Sequence, residues 1–280
     1  DIAARLMAQQ LTERFGRNFL VENRAGATGT VGAENVARSA PDGHSLYLAS
    51  QTTHATAPYM YRNVGYDPVK DFATITLAMQ NPLLGVVHPS TPIRSIKELV
   101  ALAKARPGQL NFATGGQGSS PHMSVELLKM TAGIDMVAVH YKGDGAAIPE
   151  VLGGQVPMMF SSISAWMPYV KAQRVRGIAV TSAKRSSIAP EFPSVAESGL
   201  PGFEVITWFG ILAPAGTPRE IINRLHDELT KILDMPSIKA QAAKLGMEIV
   251  GMGPDDYGTF LRAENAKWGK MVRDLKLRAD

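Results

Sequence analysis

The 280-residue sequence contains no cysteine. This absence excludes disulfide bonds, thiol nucleophiles, thiolate zinc sites and cysteine-held iron–sulfur clusters. It fits a compartment in which a free thiol is a liability. Aromatic residues are also sparse, at 7% of the chain, which argues against a surface that stacks on carbohydrate rings.

The sequence also lacks long hydrophobic runs and blocks of like charge. No apolar run approaches the ~18 residues that a transmembrane helix needs, so we do not expect a membrane-embedded protein. The net charge is +4, with both signs interspersed, and nucleic acid is therefore not an expected partner. The six histidines show no metal-binding spacing, and no nucleotide-binding fingerprint occurs, so neither a metal nor a cofactor is expected.

Strand-like and helix-like segments alternate along the chain, which predicts an α/β fold with mostly parallel sheets. The length favours two lobes over a single core. Links between the lobes are predicted near residues 89–94 and 207–213. The predicted strands are 19–24, 46–50, 75–79, 84–88, 110–114, 136–140, 156–160 and 175–181. The predicted helices are a first one capped by Asp1 and running to Arg14, one ending at Ala40, one opened by a capping box at Ser95–Glu98, one at Pro121–Ala132, one opened by a second capping box at Thr217–Glu220 and one over Pro254–Leu277. The helix after Thr217–Glu220 is predicted to be amphipathic, with an apolar face formed by Ile221, Ile222, Leu225, Leu229, Ile232 and Leu233.

A glycine-rich loop, Thr114-Gly-Gly-Gln-Gly-Ser-Ser-Pro-His122, lies between a predicted strand and a predicted helix. Glycines let a ligand approach the backbone, and a helix N-terminus offers unpaired N–H groups that suit a carboxylate or a phosphate. A capped turn without a ligand explains the same residues equally well. The candidate ligand-binding residues here are Thr114, Gly115, Gly118, Ser119, Ser120 and His122, the last as a residue that frames the loop.

Three other loops follow predicted strands and offer hydroxyl, amide or ammonium groups. Each is also compatible with an ordinary turn. The loop Arg24–Gly32 lacks the spacing of a dinucleotide or P-loop site, and a close backbone turn is the preferred interpretation. The further candidate ligand-binding residues are Ser50, Gln51, Thr52, Lys142, Gly143, Gly145, Ser161 and Ser162.

The sequence does not support catalysis. Ser119 and Ser120 are too close in sequence to His122 for a catalytic triad, whose nucleophile and base usually come from separate loops. No Gly-x-Ser-x-Gly nucleophile elbow is present. We therefore expect a binding protein that is not an enzyme.

At the level of whole motifs, the chain resembles the Bug family, the substrate-binding proteins of tripartite tricarboxylate transporters. The resemblance covers essentially the whole length. It rests on Val21-Glu-Asn-Arg-Ala-Gly-Ala-Thr-Gly-Thr-Val-Gly32, Ala40-Pro-Asp-Gly43, Pro107 to Ser119 with His122 and Glu126, Tyr141-Lys-Gly143, Leu152-Gly-Gly-Gln-Val156, Pro193 to Phe203, Trp208-Phe-Gly and Ala213-Pro-Ala-Gly-Thr-Pro218.

This resemblance implies a type II periplasmic-binding-protein fold, with two lobes joined by a two-strand hinge. Lobe one would comprise residues 1–92 and 211–280, and lobe two residues 93–210. A small carboxylate would be captured in the cleft between the lobes, through backbone amides, hydroxyls and bridging waters rather than an arginine clamp. The protein would be a periplasmic monomer that delivers its ligand to membrane transporter subunits.

Two other functions stay open at this point: a ligand-sensing module that signals to a membrane receptor, and an α/β hydrolase or transferase. The ligand is equally open, between dicarboxylates, tricarboxylates, aromatic acids, acidic amino acids and an uncharged amide.

The N-terminus departs from the family pattern. Family members usually carry a signal peptide and a strand ending in a Pro-Gly-Gly-x-x-Asp loop, and Asp1 matches the Asp of that loop. We expect that without this strand the lobe-one sheet lacks a central member and the site lacks one of its loops.

Overall fold

The fold is described from a computed structural model that covers residues 2–24, 26 and 29–278. The predicted helix cap Asp1 and three residues of the Arg24–Gly32 loop lie outside this described part. The chain divides into two compact units: unit one, residues 1–80 and 208–280, and unit two, residues 81–207. The sequence placed the lobe boundaries near residues 92 and 210.

Unit one combines helices from both ends of the chain with a four-membered set of strands. Two strands, β2 and β7, run from one unit into the other. The elements are α1 (Ile2–Phe15), α2 (Thr30–Ala37), β1 (Tyr47–Ser50), a π-helical turn (Thr52–Thr56), α3 (Ala57–Met60), β2 (Phe72–Val87), β7 (Ile206–Pro214), α8 (Arg219–Leu233), α9 (Pro236–Lys244), β8 (Glu248–Met252) and α10 (Pro254–Asp274).

Two pairs of strands in unit one are antiparallel. β1 pairs with β7, and the first half of β2 pairs with β8. The main hydrophobic core packs α1 and α8 together with the inner faces of β2 and β7. The amphipathic pattern predicted for α8 is confirmed, since Leu225, Leu229 and Ile232 are among the buried residues of this core.

Unit two alternates strands and helices in a β–α order. Its core gathers residues of the strands and of two flanking helices around Trp166 and Met159. The elements are α4 (Ile96–Ala105), β3 (Asn111–Thr114), α5 (Ser120–Ala132), β4 (Val137–His140), α6 (Asp144–Leu152), β5 (Met158–Ser162), α7 (Ile163–Lys171) and β6 (Arg176–Val180).

The sheet of unit two is mixed. β3 is parallel to both β4 and β5, whereas the second half of β2 is antiparallel to β5 and to β6. The α/β class is confirmed, but the expectation of mostly parallel sheets is wrong for the described pairings. The reason is that the two strands that cross between the units are antiparallel to their partners, β2 to β5, β6 and β8, and β7 to β1.

Two predicted strands, 75–79 and 84–88, are one continuous strand, β2. The intervening segment contains Pro82, and proline cannot donate to a sheet ladder. The strand continues through it, pairing with β8 before the proline and with β5 and β6 after it. The chain therefore crosses between the units inside β2, upstream of the predicted link at 89–94.

The predicted strand 19–24 does not form. Residues 19–24 have no regular secondary structure, and Leu20 is 89% exposed. A groove of about 560 Å³ is lined by this segment and by residues of β1, α1 and α8. Among the described residues β1 is an edge strand, and no ladder joins it to residues 19–24.

The two predicted capping boxes have different outcomes. At the start of α4, Ser95 accepts a hydrogen bond from the Glu98 amide, as predicted. At the start of α8, however, the capping residue is Pro218, and the Thr217 hydroxyl instead donates to the Pro214 carbonyl at 2.8 Å. The turn that precedes the helix competes for this hydroxyl.

Candidate functional site

In unit two, the carboxyl ends of three neighbouring strands lie at one edge of the sheet. The parallel pairing of β3 with β4 and β5 produces this arrangement, and ligands in α/β folds bind preferentially at such edges. Two hydrogen bonds join the first two loops: Tyr141 N–H to the Thr114 carbonyl at 2.9 Å, and Gly143 N–H to the Gly115 carbonyl at 3.0 Å. The candidates brought to this edge are Thr114, Gly115, Gly118, Ser119, Ser120, His122, Lys142, Gly143, Gly145, Ser161 and Ser162.

The loop after β3 is fixed by its own hydroxyls. Thr114, which is fully buried, donates to the Gly116 carbonyl and accepts from the Gly116 amide, both at 2.9 Å. Ser119 donates to the same carbonyl at 2.7 Å and caps α5 by accepting from the His122 amide. Ser119 is thus the cap, and Ser120 is the first helical residue. Both hydroxyl protons stay within the loop.

His122 holds the loop from behind. Its Nδ1 accepts a hydrogen bond from the Gly118 amide at 3.1 Å, and the side chain is buried. Burial, helped by His140 and Lys129, lowers the pKa of His122 to about 4. The ring is therefore neutral at pH 7, which is the state in which Nδ1 can accept.

The main-chain amides are the donors that the loops leave available. Within the described residues, the amides of Gly115, Gln117 and Gly145 have no hydrogen-bonding partner. Gly145 lies in the first turn of α6, so its N–H belongs to the partly positive end of that helix. These donors suit an anionic group and present no fixed cation.

The third loop contributes two serines that differ in role. The Ser162 hydroxyl accepts from the Ala165 amide at 3.3 Å and caps α7. Ser161 is buried and donates a short hydrogen bond to the carboxylate of Asp144. Lys142 is exposed.

Asp144 is the residue that sequence reasoning missed. It is the first residue of α6 and stands between two selected glycines, Gly143 and Gly145. Burial raises the pKa of its carboxyl, against a smaller lowering by the Ser161 hydrogen bond. A carboxylate set among glycines in a loop expected to bind an anion was the available signal.

In unit one, the candidates Ser50, Gln51 and Thr52 follow β1. Thr53 Oγ1 accepts from the Ser50 amide at 3.1 Å and lies 3.0 Å from Nδ1 of His54. Gln51 is fully buried. The chain then makes its π-helical turn, a rare geometry that is often found at functional sites. These three residues lie in a different unit from the other eleven candidates.

His54 closes this loop from the inside. It is fully buried beside Tyr47, Tyr66 and Phe72, with ring centroids 4.8–5.8 Å away. Burial lowers its pKa to about 3, so this ring is neutral as well. The Tyr66 hydroxyl donates to the Thr53 carbonyl at 2.6 Å and holds the cluster to the loop.

Metal-ligating side chains do not gather in threes anywhere in the part of the chain that the structure describes. None of the helices in that part is both long enough and apolar enough to span a bilayer.

Comparison with known proteins gives a family match over nearly the whole chain. Residues 3–277 match the family model described as tripartite tricarboxylate transporter family receptor, TctC. Protein BugT of Bordetella pertussis is 32% identical over 98% of this chain and 84% of its own length.

Solved structures of similar proteins include two with bound ligands. R. palustris Rpa4515 with adipate is 34% identical, with a TM-score of 0.82 over 98% of this chain and 91% of that chain. MatC (Rpa3494) from Rhodopseudomonas palustris with bound malate is 29% identical, with a TM-score of 0.79 over 97% of this chain and 94% of that chain.

Proposed function

Because this chain belongs to the tripartite tricarboxylate transporter receptor family, we propose that it binds a small carboxylate and delivers it to the membrane subunits of such a transporter. The two units would be the two lobes of this receptor, and the protein would act in the periplasm. The similar proteins solved with adipate and malate both hold dicarboxylates, which supports this ligand class.

The observation that carries the proposal is the set of available amides at the loop edge of unit two. Gly115, Gln117 and Gly145 offer N–H groups at the ends of adjacent strands and at a helix N-terminus. Such amides bind a carboxylate without an ion pair, because the donors and the helix dipole together favour negative charge. Of the predicted ligand-binding residues, we therefore propose the main-chain amides of Gly115 and Gly145 as primary.

We propose no catalytic step. The Ser119 hydroxyl contacts the backbone amide of His122 and not its imidazole, whose Nδ1 is engaged by Gly118. On the other side of the ring, Nε2 lies 3.8 Å from a carboxylate oxygen of Glu126, which is ion-paired to Lys129 at 2.9 Å. A serine nucleophile needs a hydrogen-bonded general base, and this arrangement does not give one to Ser119.

The test is a thermal-shift screen of the purified protein against mono-, di- and tricarboxylates, with calorimetry on each hit. A ligand that binds only the folded state stabilises it by RT ln(1 + [L]/Kd), about 2.7 kcal/mol at a hundred times Kd. We expect stabilisation by at least one dicarboxylate and no turnover of it. Absence of a shift with every acid, in a protein that unfolds cooperatively, would contradict the proposal.

A further inference from the structure

The loop edge of unit two contains one strong hydrogen-bond acceptor among its donors. The Asp144 carboxyl group projects from the start of α6, and its Oδ2 accepts from Ser161 at the end of β5. Its Oδ1 lies against the backbone of Gly115, so closely that a Cβ added there would overlap it. The carboxyl group therefore contacts the ends of two strands and stands beside two of the available amides.

The environment of Asp144 contains little to neutralise it. None of the ion pairs resolved in the described residues involves Asp144, and its Oδ1 has no hydrogen-bonding partner among them. The nearest lysine in sequence, Lys142, is exposed. Burial raises the pKa of the carboxyl, because a buried ionised form is poorly solvated.

A carboxylate in this position conflicts with a ligand that offers only acceptors. An ionised Oδ1 repels a nearby acid group, and a buried acceptor without a donor costs free energy. A ligand with a hydroxyl or ammonium group beside its acid group resolves both problems. The acid group of such a ligand accepts hydrogen bonds from the amides, while its hydroxyl or ammonium group donates one to Asp144.

We propose that Asp144 determines ligand specificity by accepting a hydrogen bond from a donor on the ligand, so that the preferred ligand is a hydroxy- or amino-substituted carboxylate. This inference rests on the proposed function and deepens it. Ser161 acts as a positioning residue, because its hydrogen bond to Oδ2 orients Oδ1 towards Gly115.

The probes are three four-carbon dicarboxylates that differ at a single carbon: succinate without a donor, malate with a hydroxyl and aspartate with an ammonium. Adipate and 2-aminoadipate repeat the comparison at a greater length. Hydrogen bonds to charged groups contribute about 1.5–3 kcal/mol, so we expect at least about tenfold tighter binding of the donor-bearing acid in one of these series. Malate against aspartate distinguishes a hydroxyl from an ammonium.

The deciding variant is Asp144→Asn, which keeps the shape and an oxygen to accept from Ser161 but removes the charge. We expect the ratio of the affinity for the donor-bearing acid to the affinity for the plain acid to fall about tenfold. The fall should come chiefly from tighter binding of succinate or adipate. Asp256→Asn is the matched control, because Asp256 is an exposed acidic residue in the first turn of α10 and removes the same charge.

A second variant, Ser161→Ala, keeps the charge of Asp144 but removes the hydrogen bond that orients its carboxyl group. We expect an intermediate ratio from it, with circular dichroism of all three variants confirming the fold. If plain and donor-bearing acids bind equally to the wild type, or if Asp144→Asn leaves the ratio unchanged, the inference is wrong while the proposed function stands. If none of the acids binds, the proposed function fails and the inference fails with it.

Discussion

In unit two the loops after the strands offer main-chain amides, whereas in unit one the loop after β1 is closed by side chains. The hydroxyls of Thr114 and Ser119 are used within their loop, which leaves the amides of Gly115 and Gln117 available. In unit one, Thr53 fixes the Ser50 amide. Glycine-rich and hydroxyl-rich loops thus present different groups, although both follow a strand.

The two units share one feature: in each, a buried neutral histidine packs behind the loop that follows a strand. Nδ1 of His122 accepts from an amide in unit two, and Nδ1 of His54 contacts a threonine hydroxyl in unit one. Their surroundings differ, because aromatic rings enclose His54 whereas Glu126 and His140 lie beside His122. Burial keeps both rings unprotonated, and at His122 the hydrogen bond to the loop requires this state because Nδ1 accepts from the Gly118 amide.

The largest expected effect is acid destabilisation of both units. Unfolded histidine has a pKa of about 6.5, whereas His54 and His122 have folded values of about 3 and about 4. Between these values the unfolded state binds more protons, so stability is fully present above pH 6.5 and is lost as the pH falls. At pH 5 each histidine costs about 2 kcal/mol, about 4 kcal/mol together.

Urea denaturation at pH 7.5 and at pH 5 measures this difference. His122→Asn, whose amide oxygen can replace Nδ1 as acceptor, should remove about half of the pH dependence. The control is His44→Asn, because the His44 side chain is 88% exposed. Equal unfolding free energies of the wild type at the two pH values would show that the buried rings are not neutral.

The next largest effect is a difference in stability between alanine substitutions at two glycines of the same site. Gly115→Ala places a Cβ against the Asp144 carboxyl and 2.9 Å from the Asp144 amide nitrogen, so we expect a loss of about 2–3 kcal/mol of stability from overpacking. It should also weaken carboxylate binding, since the loop must move.

Gly145→Ala is the matched control for that substitution. A Cβ at Gly145 meets no atom within 4 Å, and alanine favours a helix over glycine by roughly 0.5–1 kcal/mol. Unfolding midpoints of the two variants should therefore move in opposite directions. A midpoint for Gly115→Ala that matches the wild type would mean that Asp144 does not pack against β3 in solution.

The smallest of the three effects concerns the side-chain loop of unit one. Thr53→Val removes the hydroxyl that serves the Ser50 amide and faces His54, and leaving such groups unpaired should cost about 1–2 kcal/mol. Thr52→Val, one residue earlier, is the comparison, and we expect it to cost less. Chemical denaturation of both variants measures their free energies of unfolding. Equal losses of stability would contradict the role of the Thr53 hydroxyl in holding this loop.

The sequence predicted what depends on periodicity and local hydrogen bonding. The apolar face of α8, the cap at Ser95 and the strand–loop–helix arrangement around Ser119 all follow from residues within one or two turns of each other. The family resemblance was likewise confirmed. These features need no knowledge of distant contacts.

What the sequence could not predict depends on partners far along the chain. Residues 19–24 have a strand-like pattern but no ladder, and β2 continues through Pro82 because three other strands pair with it. Asp144 gained its importance only when β5 brought Ser161 to it. Whether the eleven candidates at the edge of unit two bind a ligand stays a prediction.

The discontinuity of unit one has a consequence for the order in which the protein is made. Its main core joins Met7 and Leu11 to Ile75 and then to Leu229 and Ile238, so this core is incomplete until the last third of the chain has been synthesised. Unit two is one uninterrupted segment and can fold earlier, since domains generally fold as units during synthesis. During translation, the apolar face of α1 therefore stays uncovered until these later residues have been synthesised, and chaperones that protect nascent chains are expected to act on that helix.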